Sequence, residues 1–275
     1  MERRAWVQAA LCAAANVGAA ALGFGAGACQ APAPKPSGLF AGTLGGVEDE
    51  ILRFVGQQAP KLELRLVRFG SADALRGALQ SGQLAFGSFE NGVELAENAS
   101  QTRSAQLASA GPSVTLPLGL YSRRLRTLSE LGPGSVVALP SEGRAQGRAL
   151  LVLYHYGLLD FDQELGPQVR LADVRRNPRA LELTTFSASE LGAQLANADL
   201  TALDYGAASR LGLEPARRAL AIEDGFSPFA QVLTVRSQDL SKHPRWLAQL
   251  LEAYRAKPVK DFILRRYQDS VRRAW

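Results

Sequence analysis

From about residue 37 onward the apolar positions switch repeatedly between a two-residue and a helical period. Residues 39–44 (LFAGTL) read as a strand and residues 47–58 as a helix. Residues 62–69 (LELRLVRF) alternate, residues 72–79 turn helical before Gly82, and residues 84–89 read as a further strand. Later, residues 135–139 lead into an apolar helix, 180–185 into a helix over 187–196, and 200–203 into a helix over 205–211. Thr127 with Glu130, and Ser187 with Glu190, have capping-box spacing. Two helices over 244–256 and 258–270 close the chain, each opened by a proline where a first turn tolerates one. Alternating strands and helices predict an α/β architecture with parallel strands. Ligands of such sheets gather at the carboxyl ends of strands, beside helix N-termini. No short-period repeat is present.

Residues 140–159 (PSEGRAQGRALLVLYHYGLL) pose a problem for that scheme. Gly157 reads as the helix C-cap, and the expected first turn holds Arg148, with Arg144 four residues upstream. A cation at a helix start is disfavoured by about 0.3–1 kcal/mol, and a like-charged i,i+4 pair adds to that. Either a negative ligand sits there, or Arg148 makes a surface salt bridge.

The first residues follow another pattern. Arg3 and Arg4, then an Ala/Gly-rich apolar stretch, then Ala26-Gly27-Ala28 before Cys29 predict an export signal over residues 1–28. The twin arginines loosely resemble a Tat signal. The alternative, a membrane anchor, is weakened by so much Ala and Gly and by Asn16. Cys12 would leave with the signal, so Cys29 would be the sole cysteine and no internal disulfide could form. Its placement resembles the acylated cysteine of bacterial lipoproteins, although Ala26-x-Ala28 also suits an ordinary signal peptidase that would release a soluble protein. Residues 29–38 form a Pro-rich tether of the kind that holds a domain off a surface, which favours a lipid anchor on Cys29.

Composition narrows the function. The chain has 275 residues, 47% hydrophobic and 21% charged, which is globular and long enough for two lobes. The net charge of +5 comes from scattered arginines, not from a basic face with aromatics, so nucleic acid is not an expected partner. The two histidines, His155 and His243, belong to no cluster with ligand spacing, so no metal is expected. No nucleophile elbow, S-x-x-K pair or phosphate loop occurs, so neither an enzyme nor a cofactor is expected. Residues 42–46 (GTLGG) fit a tight turn between strand and helix, or an anion cradle of backbone N–H groups. Asp204 fits a helix cap or a ligand contact equally well.

Several stretches together resemble the substrate-binding lipoproteins of methionine ABC importers, the MetQ/NlpA family. They are residues 120–131 (LYSRRLRTLSEL), 134–159, 173–183 (DVRRNPRALEL), 208–215 (ASRLGLEP) and 223–236 (EDGFSPFAQVLTVR), with the terminal Trp275. The resemblance implies a two-lobed, type II-like periplasmic binding protein fold with a ligand cleft between lobes. Lobe 1 would span 39–115 plus 231–275, and lobe 2 would span 116–230. It also implies an exported, membrane-anchored receptor, periplasmic or at the cell surface, that hands a small ligand to an ABC transporter permease. Arg148 matches the family arginine that grips an amino-acid carboxylate, a task suited to a bidentate guanidinium. Phe89 matches a pocket aromatic. Asp204 stands where the family holds the ligand's ammonium with asparagine, and Gln231 replaces a second asparagine. Asn91 replaces a histidine, while Ala72, Ala145, Leu116 and Glu94 stand where the family has tyrosine, asparagine, tyrosine and tyrosine. That thins the apolar grip on a thioether. The expected ligand is a zwitterionic α-amino acid, methionine-like, or a small peptide. A sulfonate, a cationic metabolite, or a surface role without transport are the alternatives.

Overall fold

The computed structural model describes residues 38–102, 106–141, 143–161, 166–242 and 244–275. The expected export signal, Cys12, Cys29, the tether up to residue 37 and His243 lie outside the described residues.

The chain first lays down β1 (Leu39–Thr43), α1 (Gly46–Gln58), β2 (Leu64–Arg68), α2 (Ala72–Gln80), β3 (Phe86–Asn91), α3 (Gly92–Thr102) and β4 (Leu107–Pro112). After a short β5 (Val114–Thr115) it enters a second unit of strands. These are β6 (Gly119–Tyr121), β7 (Val136–Pro140), β8 (Glu182–Phe186), β9 (Leu200–Leu203) and β10 (Ala219–Ile222). Helices α4 (Gly143–His155), α5 (Ala188–Leu191), α6 (Tyr205–Arg210) and α7 (Pro215–Arg218) connect them. The chain then returns as β11 (Gln231–Arg236), α8 (Ser237–Ser241), α9 (Arg245–Arg255), α10 (Lys257–Tyr267) and β12 (Arg272–Arg273).

Two five-stranded sheets result, ordered β2-β1-β3-β11-β4 and β10-β6-β9-β7-β8, with β12 pairing β5 beside them. The parallel expectation holds for β1 with β2 and β3, and for β7 with β8 and β9. It does not hold for β11, which runs antiparallel to both β3 and β4, nor for β6, antiparallel to β9 and β10. These strands are reached by direct crossings between sheets and not by a covering helix, so no βαβ unit forces them parallel.

Each sheet carries its own core. Ile51, Leu52 and Val55 of α1, Leu250 and Tyr254 of α9 and Ile263 of α10 close over Phe86, Leu233 and Val235 of the first sheet. Leu150 and Leu153 of α4 close over Leu120, Val137, Leu139 and Leu200 of the second. Full burial of each such side chain contributes roughly 1.5–3 kcal/mol. Among the described residues no helix is long and apolar enough to cross a membrane.

Local chemistry sets the element ends that matter for the cleft. Residues 42–46 form a tight βα turn in which Gly45 and Gly46 take φ of 93° and 71°. Thr43 Oγ1 accepts from Gly45 N–H (3.3 Å) and donates to the buried Asp49 (3.1 Å), fastening the turn to α1. Helix α4 ends as expected. Gly157 is left-handed, its N–H reaches Tyr154 O (2.9 Å), and Leu158 N–H reaches Leu153 O (2.9 Å), the Schellman pattern. Its start differs: the helix begins at Gly143, so Arg144 lies in the first turn and Arg148 in the second. The expected helix over 187–196 is α5 followed by a 3₁₀ turn from Gly192, a residue costly inside a helix. Strand β2 starts later than its alternation suggests because Pro60–Leu62 coil into a 3₁₀ turn ahead of it.

Candidate functional site

The carboxyl ends of β3, β7 and β9 point into one cavity of about 420 Å³. Asn91 and Glu94 enter it from the end of β3 and the start of α3, Arg144 and Arg148 from α4, and Asp204 and Arg210 from the two ends of α6. Phe229 comes from the segment that crosses back to the first sheet. The cavity therefore sits where the two sheets face each other.

Arg148 is deeply engaged. Its Nε donates to both oxygens of Glu223 (3.0 and 2.9 Å) and its Nη2 to Glu223 Oε2 (2.5 Å) and to Leu116 O (2.7 Å). The guanidinium lies over the Phe229 ring, 5.1 Å from its centroid. Only 14% of the Arg148 side chain and 6% of Glu223 are exposed. Glu223 also accepts from Leu118 N–H (2.9 Å) and Ser227 Oγ (2.5 Å). Leu116 and Leu118 belong to one inter-sheet crossing, and Glu223 and Ser227 to the other. One ion pair thus ties α4 to both crossings. The salt bridge weighed as an alternative for Arg148 exists, but it is buried; it takes the Nε/Nη2 edge of the guanidinium, while Leu116 O engages Nη2 on the other edge. Nη1 has no partner among the described residues.

Asp204 is the cap of α6, and it also lines the cavity. Its Oδ1 accepts from Ala207 N–H (2.7 Å). Asn91 exchanges two hydrogen bonds with Glu94, its Oδ1 accepting from Glu94 N–H (3.0 Å) and its N–H donating to Glu94 Oε2 (3.1 Å). At the rim, Arg144 pairs with Glu97 (3.2 Å) and Glu94 (3.8 Å), and Gln168 donates to Glu97 (2.7 Å). These contacts join α3 on the first sheet to elements of the second.

Two other candidates stand away from this cavity. Phe89 is buried among Leu75, Leu79, Leu84, Leu95 and Val232, with the Arg76 guanidinium 5.6 Å over its ring. The aromatic that lines the cavity is Phe229. Gln231 pairs with Asn91 across β11 and β3, and its side-chain oxygen is buried with no hydrogen-bond partner. Ala145 lines the cavity, and His155 lies behind Arg148 in a neighbouring cavity of about 380 Å³ with its Nδ1 on Leu151 O (2.7 Å). Among the described residues no group of His, Cys, Asp and Glu could hold a metal. Glu223, Phe229 and Arg210 were not among the candidates read from the sequence. Glu223 and Phe229 fall within the family-like stretch 223–236, but nothing local marks the acid as the partner of an arginine 75 residues away.

One carboxylate on the first sheet's side has an unusual environment. Burial pushes Glu48, in the first turn of α1, up to about 7. Its charge would sit near the phenols of Tyr205 and Tyr254, which are also pushed up, first by their own burial and further by Glu48. Because its folded value lies above the unfolded one, folding is unpenalised below about pH 4.5 and loses stability as pH rises towards 7. Glu48→Gln should therefore raise stability at pH 8 by about 1–3 kcal/mol and leave it unchanged at pH 4, measured by urea unfolding.

Two mixed α/β sheets joined by two crossings, with a charged cavity at their converging strand ends, make up the two-lobed architecture of periplasmic substrate-binding proteins. The chain belongs to the NlpA lipoprotein family, whose model matches residues 40–275. It is similar to the D-methionine-binding lipoprotein MetQ of Yersinia pestis, at 28% identity over 90% of this chain and 92% of that protein. Among solved structures it is similar to a periplasmic ABC-transporter substrate-binding protein from Coxiella burnetii and to a nutrient-binding protein from Burkholderia cenocepacia bound to methionine. Each is 27% identical with a TM-score of 0.69, over 86% of this chain and all of the other.

Proposed function

We propose that this protein is the substrate-binding receptor of an ABC importer, and that a small zwitterionic ligand occupies the cavity between lobes 39–115 plus 231–275 and 116–230. The ligand class is an α-amino acid, methionine-like, or a small peptide. The observation that carries this reading is that Arg148 and Asp204, groups of opposite charge, line one cavity at converging strand ends. In the proposed complex Arg148 reaches the ligand carboxylate through Nη1, and Asp204 receives the ammonium on Oδ2, the oxygen not used as a cap. Asn91 adds amide hydrogen bonds, with Gln231 supporting it from the adjacent strand and Phe89 packing beneath the same strand end. Family membership supports export and anchoring to a membrane through a lipidated Cys29, with transfer of the ligand to a permease and no catalysis.

A thermal-shift screen of amino acids, small peptides, sulfonates and cationic metabolites tests the reading. A ligand present at a hundred times its dissociation constant adds about 2.7 kcal/mol of stability. Stabilisation by amino acids or peptides is expected, and stabilisation by sulfonates or other plain anions alone would overturn the assignment.

A further inference from the structure

We propose that Glu223 determines the specificity of the cleft: by neutralising Arg148 and occupying its forked edge, it makes the cavity accept a carboxylate only from a ligand that also brings an ammonium group. The proposal rests on the amino-acid reading above and deepens it from a ligand class to a rule of selection.

A guanidinium offers five N–H donors. In Arg148 the Nε hydrogen and Nη2 are spent on Glu223 and on Leu116 O, and the Phe229 ring lies on one side, its centroid 5.1 Å away. What remains for the cavity is Nη1. The guanidinium already holds a full negative charge against its Nε and Nη2, so a plain anion meets the field of a dipole and not that of a free cation. Glu223 is also not a counter-ion that a ligand can push aside. It is buried and held by Leu118 N–H and Ser227 Oγ, two donors that would be stranded by its departure.

The other charges do not restore the attraction. Arg144 is matched by Glu94 and Glu97. That leaves Asp204 and Arg210, one of each sign, whose charged groups both lie beside Gly206 on α6. An incoming carboxylate therefore gains little unless an ammonium accompanies it to Asp204. The selection is repulsive as much as attractive, which is how discrimination between closely related ligands is usually built. The same pair positions Arg148, since the guanidinium is held in place before any ligand arrives.

The test uses Glu223→Gln, which keeps the shape and a hydrogen-bonding side chain but removes the charge. The whole protein is titrated by thermal shift and calorimetry with acetate, with the best-binding proteinogenic amino acid, and with that amino acid's deaminated counterpart. In the wild type the deaminated acid should bind about a hundredfold more weakly than the amino acid, and acetate should not stabilise. In Glu223→Gln that gap should narrow to about tenfold, acetate should become stabilising, and the gain should vanish in Arg148→Met/Glu223→Gln. The dependence on Arg148 is a readout that a merely structural role would not produce. An unchanged acetate response in Glu223→Gln overturns the proposal, as does a wild type that binds the deaminated acid as tightly as the amino acid. This second comparison needs no variant to fold. If no amino acid binds the wild type, the amino-acid reading fails by itself, while the acetate arm still decides the role of Glu223.

Discussion

Arg148→Met is expected to lose about 2–5 kcal/mol of ligand affinity, because it removes one charge of a pair that closure excludes from water. The same change leaves Glu223 buried with its cation gone. Breaking a buried pair from one side costs about 3–5 kcal/mol of folding stability, far more than the pair contributes when intact. Calorimetry at a temperature where the variant is folded measures the first loss, and urea unfolding the second. Arg148→Met/Glu223→Gln should recover most of the stability, since no uncompensated charge remains, while affinity stays low. Near-wild-type affinity in the single variant would remove Arg148 from the binding site. A double variant as unstable as the single would remove the electrostatic explanation.

The second large effect is expected at a buried pair that does not line the cavity. Glu90 on β3 is almost wholly buried and accepts from Arg76 Nη2 (2.8 Å), Asn98 (3.4 Å) and Thr234 Oγ1 (3.1 Å). Arg76 is its only cationic partner among the described residues, and it also packs over Phe89. Arg76→Met should therefore destabilise folding by about 3–5 kcal/mol. The midpoint of urea unfolding should fall, and Arg76→Met/Glu90→Gln should restore most of it. Ligand affinity of the folded variant should change little, because neither residue lines the cavity. An unaltered midpoint would mean that Thr234 and Asn98 suffice to hold the Glu90 charge.

What could be read from the sequence was whatever is encoded within a turn or two of chain. The Gly157 stop, the two capping boxes, and the run 200–203 before the Asp204 cap all appear where local chemistry places them. The α/β character followed from the same periodicities. Strand direction did not, because alternation is the same in either direction, and so the antiparallel insertion of β11 between β3 and β4 was invisible. Strands β5, β6 and β12, of two or three residues, are too short to show a period. In β3 every residue is buried, so nothing in its pattern says which side Phe89 takes. The helix-start argument placed the arginines one turn too early in the helix. Arg144, not Arg148, occupies the first turn, and it is compensated by Glu94 and Glu97. Arg148 meets a negative group there, but it is one of the protein's own.

The route of the chain also lets one sheet be completed before the other. Residues 119–222 hold all five strands of the second sheet in one uninterrupted stretch. The first sheet begins with the earliest strand yet stays split between β3 and β4 until Gln231–Arg236 arrive to join them. A chain emerging from its amino end can therefore complete the second sheet before the first. Until it does, β3 and β4 present unfilled edges, the kind of long-separation pairing that slows folding and invites misassembly.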